Sequence, residues 1–393
     1  MKKRLLFVIE SLSAAGAEKS LTTLLSGLDY SRFDVDLQLF RYGGEFERYL
    51  PAGVHLLPPF EYTLFLEGKI RQSGLRHMEM IAARSLYSLS IRVGRNKHAD
   101  KARKFWLIAG RCIPESREPY DVAIAYSQGI PTFYVAEKIL AKKKICWVNV
   151  SYLLSDRNIA FQARYYAAFK HIVCVSETAK ACFDGEFPSL SSRTSVIRDM
   201  IDASIIRRMA EDGQVSLDQS HPAILTVARF APQKGYDIAI EACRVLRDRG
   251  IPFTWYAIGH GPLESELRDL VEKNRLKEKF VFLGTFANPY PYFKAATIYV
   301  QTSRNEGFGL SIAEARVLGR PVVTTEFDAV WQQMVQGKNG LVVPQNPIAV
   351  ADAIERLLTD QSLYDYIAGY QSNEKIENLE ELSKFIQLLG PCN

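Results

Sequence analysis

The side chains best equipped for chemistry are two glutamates, Glu306 and Glu314, and two cations on an earlier loop, Arg229 and Lys234. The glutamates bracket the turn Gly307-Phe308-Gly309, which runs from the strand-like residues 297–300 into a helix expected over 311–318. Glycine permits close approach of backbone N–H groups, including those of Phe308 and Leu310, and a helix start carries unbonded N–H groups that favour an anion. Carboxylates repel phosphate, so Glu306 and Glu314 are better suited to accept hydrogen bonds from hydroxyls. In Arg229-Phe230-Ala231-Pro232-Gln233-Lys234-Gly235, a forked guanidinium and a point-charge ammonium on one loop suit two adjacent phosphates. A ligand with phosphates in the middle and hydroxyls on both sides satisfies both sets, as a nucleotide diphosphate sugar does.

Each signal has a plainer explanation. A lone Gly-x-Gly is an ordinary loop of a parallel sheet with Glu314 solvated on its helix, and Arg229 and Lys234 alone are a solvated pair. In combination the stretch 306–314 resembles the Glu-x7-Glu signature of the retaining glycosyltransferases of family 4 (glycosyl transferases group 1), which have the two-domain GT-B fold. The resemblance covers most of the chain, is sharp over 223–345 and loose over 60–120. It implies that Glu306 contacts hydroxyls of the transferred sugar and Glu314 the nucleotide ribose. It also implies that Arg229 and Lys234 hold the diphosphate, and that Gly307 to Leu310 help hold the donor.

The same resemblance extends to the first half. Ser13-Ala14-Ala15-Gly16-Ala17-Glu18 is similar to the family's Gly-Gly-Ala-Glu loop, with Ala15 in place of the first glycine and Gly16 retained. Gly259-His260-Gly261-Pro262 ends another strand; Gly259 is assigned to the donor side and His260 is read as a bystander. Three departures stand out. Asn149 occupies the place of a family histidine near the sugar and acceptor, and an amide cannot titrate near neutral pH. Asp199 stands where the family tends to have asparagine, and Gln332 replaces a glutamate further on. The mechanism implied is metal-independent transfer with retention, in which the leaving phosphate oxygen takes the acceptor's proton and domain closure excludes water.

The elements that must position these groups alternate strand and helix. Strands are expected at 5–9, 35–39, 122–126, 145–150, 172–175 and 195–197, then, after a polar linker at 201–221, at 223–228, 253–258, 280–283, 297–300, 322–325 and 341–343. This is α/β architecture: two Rossmann-like domains, an acceptor domain over 1–200 and a nucleotide-sugar domain over 222–372, facing across a cleft as the GT-B resemblance implies. A tail over 373–393 can form a helix returning to the first domain. Asp34-Val35-Asp36 mimics a metal-binding Asp-x-Asp, but strand alternation accounts for it, and no metal is expected.

With 393 residues and 47% hydrophobic composition the chain can bury two domains of ordinary size. Glu10 cuts the first apolar run well short of a signal peptide's core, so the protein is expected in the cytoplasm. Six scattered cysteines without a Cys-x-x-Cys pair read as free thiols. Charge is uneven. Residues 1–200 carry 29 Lys+Arg against 20 Asp+Glu, or +9, leaving −4 for the remainder. The excess lies in 69–111, where Lys69, Arg71, Arg76, Arg84, Arg92, Arg95, Lys97, Lys101, Arg103, Lys104 and Arg111 face only Glu79 and Asp100, with apolar residues interleaved at helical spacing. That segment reads either as a surface for an anionic bilayer or lipid phosphate, at the inner face of the cell membrane, or as two helices with an apolar core stripe and a solvated charged face. No nucleic-acid motif accompanies the charge.

Three functions compete. The first is a hexosyltransferase building cell-envelope polysaccharide from a UDP-sugar, favoured over a GDP-sugar, onto a glycan or a lipid-diphosphate-linked acceptor. The second is a non-catalytic binding or partner subunit of the same fold, and the third a sugar-nucleotide epimerase.

Overall fold

The computed structural model describes residues 2–390 except 14–15, 71–73, 93–97, 150–153, 155, 214, 216, 219, 287 and 377–378. Ala14, Ala15, Arg71, Arg95, Lys97, Gln214, Gln219 and Cys392 therefore lie outside the described residues. The chain divides into two compact units, Met1–Met200 with Glu380–Asn393, and Ile201–Leu379.

The first unit is built on seven parallel strands: β1 (Lys3–Ile9), β2 (Phe33–Leu39), β3 (Val54–Leu56), β4 (Tyr120–Ala125), β5 (Ala141–Val148), β6 (His171–Cys174) and β7 (Thr194–Val196), in the order β3-β2-β1-β4-β5-β6-β7. The central strands are apolar along their length because helices cover both faces of a parallel sheet, so Leu5 to Ile9 and Val122 to Ala125 are buried. Asp36 in β2 accepts hydrogen bonds from Tyr120 Oη at 2.8 Å and His55 Nδ1 at 2.9 Å, and the Arg4 guanidinium lies 3.8 Å from it and 4.0 Å from the more exposed Asp34 on the same face, so both carboxylates are engaged within the sheet. Helix Leu379–Leu389 belongs to this unit. Its Phe385 ring packs 5.9 Å from Phe7 and 5.6 Å from Trp147, and its buried Glu381 accepts the Arg198 N–H at 2.9 Å.

The second unit has six parallel strands: β8 (Ala223–Val227), β9 (Thr254–Ile258), β10 (Phe280–Gly284), β11 (Ile298–Gln301), β12 (Val322–Thr325) and β13 (Gly340–Val343), in the order β10-β9-β8-β11-β12-β13. Both orders are doubly wound. The direction of winding reverses between β1 and β4 in the first unit and between β8 and β11 in the second, and at such a reversal the loops leaving the two strands diverge and open a crevice at their carboxyl ends.

Residues 201–221, expected as a linker, instead include the helix Ala203–Glu211 of the second unit. Asp202 caps it, accepting from the Ser204 and Ile205 N–H groups at 2.9 and 3.0 Å, and Ile206, Met209 and Ala210 bury one face. Polar flanks hid a short amphipathic helix. Residues 69–111 contain two helices, Leu75–Arg92 and His98–Ala109. Arg103 is not on their charged surface: it is buried, donates to Asn158 Oδ1 at 2.9 Å and pairs with Asp100 at 3.2 Å.

Candidate active site

The second unit brings its chemistry to the β8/β11 reversal. Leaving β8, Ala228 runs tight against the end of β9: a Cβ on Gly259 would lie 2.0 Å from the Ala228 carbonyl oxygen, and one on Gly261 2.4 Å from that of Phe230. These glycines thus serve packing of one loop on another, which is a sufficient reason for Gly259 without a ligand. Phe230 is buried edge-on against Tyr236 at 4.9 Å and Phe282 at 5.4 Å, whereas its neighbour Arg229 is exposed. A single turn, Pro232–Lys234, then ends on Gly235 in the left-handed conformation (φ 62°, ψ 34°), where a Cβ would lie 2.0 Å from the Thr302 carbonyl oxygen.

That contact seats the loop on the one leaving β11. Arg304 N–H donates to Gln233 O at 2.7 Å, Thr302 Oγ1 donates to Lys234 O at 3.2 Å, and the Arg304 guanidinium bridges Asp237 at 2.6 and 2.9 Å and Pro232 O at 3.0 Å. As a result the Lys234 ammonium pairs directly with Glu306 Oε1, which also accepts from Gln301 Nε2 at 3.0 Å and Ser303 Oγ at 2.8 Å. Both partners are half-buried. Lys234 spends one of three N–H donors on the pair, so two remain to meet anionic oxygens.

Beyond Glu306 the chain turns through Gly309, again left-handed (φ 85°, ψ 54°), into the helix Leu310–Val317. The Gln333 side-chain amide donates to the carbonyl oxygens of Phe308 and, at 3.2 Å, Gly309, and so fixes the direction in which the helix begins. Phe308 is buried and Gly307 half-buried. Glu314 is not solvated: it is 3% exposed, and Tyr290 Oη donates to its Oε1 at 2.9 Å. Of the sequence candidates, the fold brings Lys234 and Glu306 into contact, places Arg229 on the same loop as Lys234, and holds Glu314 under the helix with Tyr290. Sequence reasoning missed Tyr290, Gln301, Ser303 and Gln333. Tyr290 and Gln333 reach the site from 24 and 25 residues away along the chain, whereas Gln301 and Ser303 lie just before Glu306, at the end of β11 and on the loop leaving it, where no motif marks them.

In the first unit, Gly16 opens the helix Gly16–Ser26 after β1. Within it Ser20 Oγ shares a hydrogen bond with Tyr126 Oη at 3.0 Å, and Tyr126 stacks on Trp147 at 4.7 Å. Asn149 follows β5. Its Nδ2 donates to Tyr126 O at 2.7 Å and its backbone N–H to Gln128 Oε1 at 3.1 Å, while Oδ1 is buried without a hydrogen-bond partner among the described residues. With the nitrogen held by Tyr126 O, Oδ1 is left to accept a hydrogen bond from a ligand. Burial raises the Asp199 carboxyl to about 6, against a hydrogen bond from Ser20 that lowers it.

Burial also raises Glu18, in the first turn of that helix, to about 7, with Glu10 and Glu45 adding to the rise and Arg41 and a backbone hydrogen bond opposing it. A carboxyl raised in the folded state stabilises the fold while protonated, so its contribution is present at low pH and is lost as pH climbs from the usual carboxylate range through 7. Glu18→Gln should therefore match the wild type in urea-unfolding stability at pH 4.5 and exceed it by about 2 kcal/mol at pH 8. A constant difference across that range would show that Glu18 does not titrate as its surroundings require.

Among the described residues no group of three or more His, Cys, Asp or Glu side chains could hold a metal ion. Two doubly wound parallel sheets, with Lys234 and Glu306 meeting at a strand-order reversal, define the class as α/β with two Rossmann-like units. Comparison with known proteins narrows the class. Residues 208–374, the stretch that contains Arg229, Lys234, Glu306 and Glu314, match the family model described as Glycosyl transferases group 1. The chain is 30% identical over 151 residues to a putative colanic acid biosynthesis glycosyltransferase, WcaL, of Salmonella typhimurium, covering 36% of each chain. It is 31% identical over 151 residues to an alpha-D-kanosaminyltransferase of Streptomyces kanamyceticus, covering 37% of this chain and 39% of that one. The chain thus spans little more than a third of the length of these relatives. Over 98% of its length it shares the fold of Anabaena HepE, solved in complex with UDP-glucose, at a TM-score of 0.70 and 18% identity, covering 99% of that chain. The fold is accordingly that of the GT-B glycosyltransferases.

Proposed function

We propose that the protein is a glycosyltransferase of family 4 that moves a hexose with retention, and without a metal, from a nucleotide diphosphate sugar to a glycan or lipid-diphosphate-linked acceptor in cell-envelope polysaccharide synthesis. The observation that carries this reading is the convergence of Lys234 and Glu306, with Arg229 on the same loop, at the β8/β11 reversal. The relatives named for polysaccharide biosynthesis and the likeness to a UDP-glucose complex support it, and favour UDP over GDP.

In this reading Arg229 and Lys234 bind the diphosphate and stabilise the charge that collects on it as the bond from the anomeric carbon to the phosphate oxygen breaks. N–H groups at Phe308 to Leu310 add to that stabilisation. Glu306 orients the sugar through its hydroxyls. The acceptor hydroxyl bonds to the anomeric carbon on the face the diphosphate leaves, and its proton passes to the departing phosphate oxygen. That route asks nothing of Asn149 beyond accepting a hydrogen bond, and leaves Gly16 to bring backbone close to phosphate or acceptor. The protein would work in the cytoplasm, against the inner face of the membrane that carries its acceptor.

Glu314 is assigned to the nucleotide ribose. Glu314→Gln keeps an acceptor for Tyr290 but gives up the charge, so it is expected to raise the donor KM at least about tenfold, a charge-assisted hydrogen bond being worth ~1.5–3 kcal/mol. Steady-state kinetics with varied donor reads this directly, and an unchanged KM removes Glu314 from the donor site.

Incubation of the protein with a panel of UDP- and GDP-sugars tests the reading as a whole. Release of UDP or GDP, including slow hydrolysis, is the expected result. Nucleotide binding with no release would instead make the chain a non-catalytic partner subunit, and conversion of the donor sugar without an acceptor would make it an epimerase.

A further inference from the structure

The helix Leu75–Arg92 has two apolar faces, and among the described residues only one of them is packed against the fold. Met80 and Ala83 are buried, and Tyr87 meets Phe105 edge-on at 5.5 Å, which makes the core face. Leu75, Met78, Ala82, Leu86 and Leu89, three or four residues apart, form a second stripe turned away from it. The large side chains of this stripe are exposed: Leu75 84%, Met78 66%, Leu86 52% and Leu89 59%. On the neighbouring helix His98–Ala109, Leu107 is exposed as well. A contiguous apolar strip of this size on a water-facing surface marks an interaction site.

The charge around the strip selects the partner. Arg92 and Lys101 are exposed on this pair of helices and Arg111 on the short turn after them, against the exposed Glu79, while Arg76 is paired with Glu61 at 3.1 Å and Arg84 lies 6.0 Å from the Phe65 ring. Two copies of the chain meeting on this face would bring like charges together, whereas an anionic leaflet supplies both the apolar phase and the counter-charge. No described helix is long and apolar enough to cross a membrane, so the helix would lie in the interface plane.

We propose that the outward stripe of helix Leu75–Arg92 is the membrane-docking element, inserting Leu75, Met78, Leu86 and Leu89 at the headgroup boundary while Arg92, Lys101 and Arg111 contact lipid phosphate. This gives a face and an orientation to the membrane contact in the function proposed above and rests on that part of it. Vesicle binding needs no sugar donor, so the docking surface and the transferase reading fail separately.

The test is co-sedimentation of the full chain with vesicles of phosphatidylcholine containing one-third phosphatidylglycerol, beside vesicles of phosphatidylcholine alone. The wild type is expected to bind the anionic vesicles, and the triple variant Leu75→Gln, Met78→Gln, Leu89→Gln to partition at least tenfold more weakly with an unchanged unfolding midpoint. The double variant Arg92→Gln, Lys101→Gln is expected to lose the preference for anionic over neutral vesicles. Equal partition of wild type and triple variant, or no binding by the wild type, overturns the proposal. So does a wild-type dimer in sedimentation that the triple variant dissolves, which would assign the stripe to a second copy.

Discussion

Replacing Lys234 with alanine is expected to lower kcat for sugar transfer by about a hundred- to a thousandfold, the range found when one donor stabilising developing negative charge is removed. The expectation follows from what the ammonium does and does not support. It is one of three donors to Glu306 Oε1, and the other two, Gln301 Nε2 and Ser303 Oγ, remain when it is gone. The carboxylate thus keeps its place and the fold stays intact, with a cost to stability of about 1–2 kcal/mol for a half-buried pair whose carboxylate retains two donors, below the ~3–5 kcal/mol of breaking a fully buried one. What disappears is the cation facing the leaving diphosphate. Glu306→Ala removes the sugar's anchor and is expected to abolish transfer in the same assay, again with cooperative unfolding retained. Near-normal turnover in either variant would take that residue out of the site.

Gly235→Ala is expected to act through geometry alone. The position needs a left-handed backbone, which costs an alanine roughly 1–2 kcal/mol, and its Cβ would also meet the Thr302 carbonyl oxygen at 2.0 Å. Backbone cannot yield as a flexible side chain can, so the two loops must part. The expected outcome is a loss of about 3 kcal/mol or more in unfolding free energy, together with a fall in transfer rate as Lys234 moves off Glu306. Gly250→Ala is the control, since Gly250 shares the positive φ (73°) but has nothing within 4 Å of its missing Cβ. It should show only the small conformational penalty and full activity. Equal losses in the two variants would mean that the contact with Thr302 does not hold the loops together.

Much of this architecture could be read from the chain because parallel strands buried on both faces are written as unbroken apolar runs, as in Leu5 to Ile9 and Val322-Val323, with turn residues between them. Charge was less legible. Arg103 reads as one more surface cation, yet Asn158, 55 residues along the chain, takes it into the interior. For Glu314 the plainer alternative, a solvated helix-surface carboxylate, falls only when Tyr290 is found beside it. The helix Gln361–Asn373 was not expected because its own sequence is mostly polar; Ile367 and Gln371 are its buried residues, and Gln371 bonds the Asn339 carbonyl at 2.7 Å. Each of these departures is a long-range contact overriding a local pattern. The Glu306 and Lys234 contact was legible only as two separate motifs, and it is the β8/β11 reversal that makes them one site.

The most direct test of that site is calorimetric titration of the wild type and of an Arg229→Ala, Lys234→Ala variant with UDP, GDP and the matching nucleosides. The account expects the wild type to bind one of the two diphosphates at least a hundredfold more tightly than its nucleoside, and the variant to lose most of that difference. A diphosphate bound equally well by both proteins, or no more tightly than its nucleoside, would contradict it.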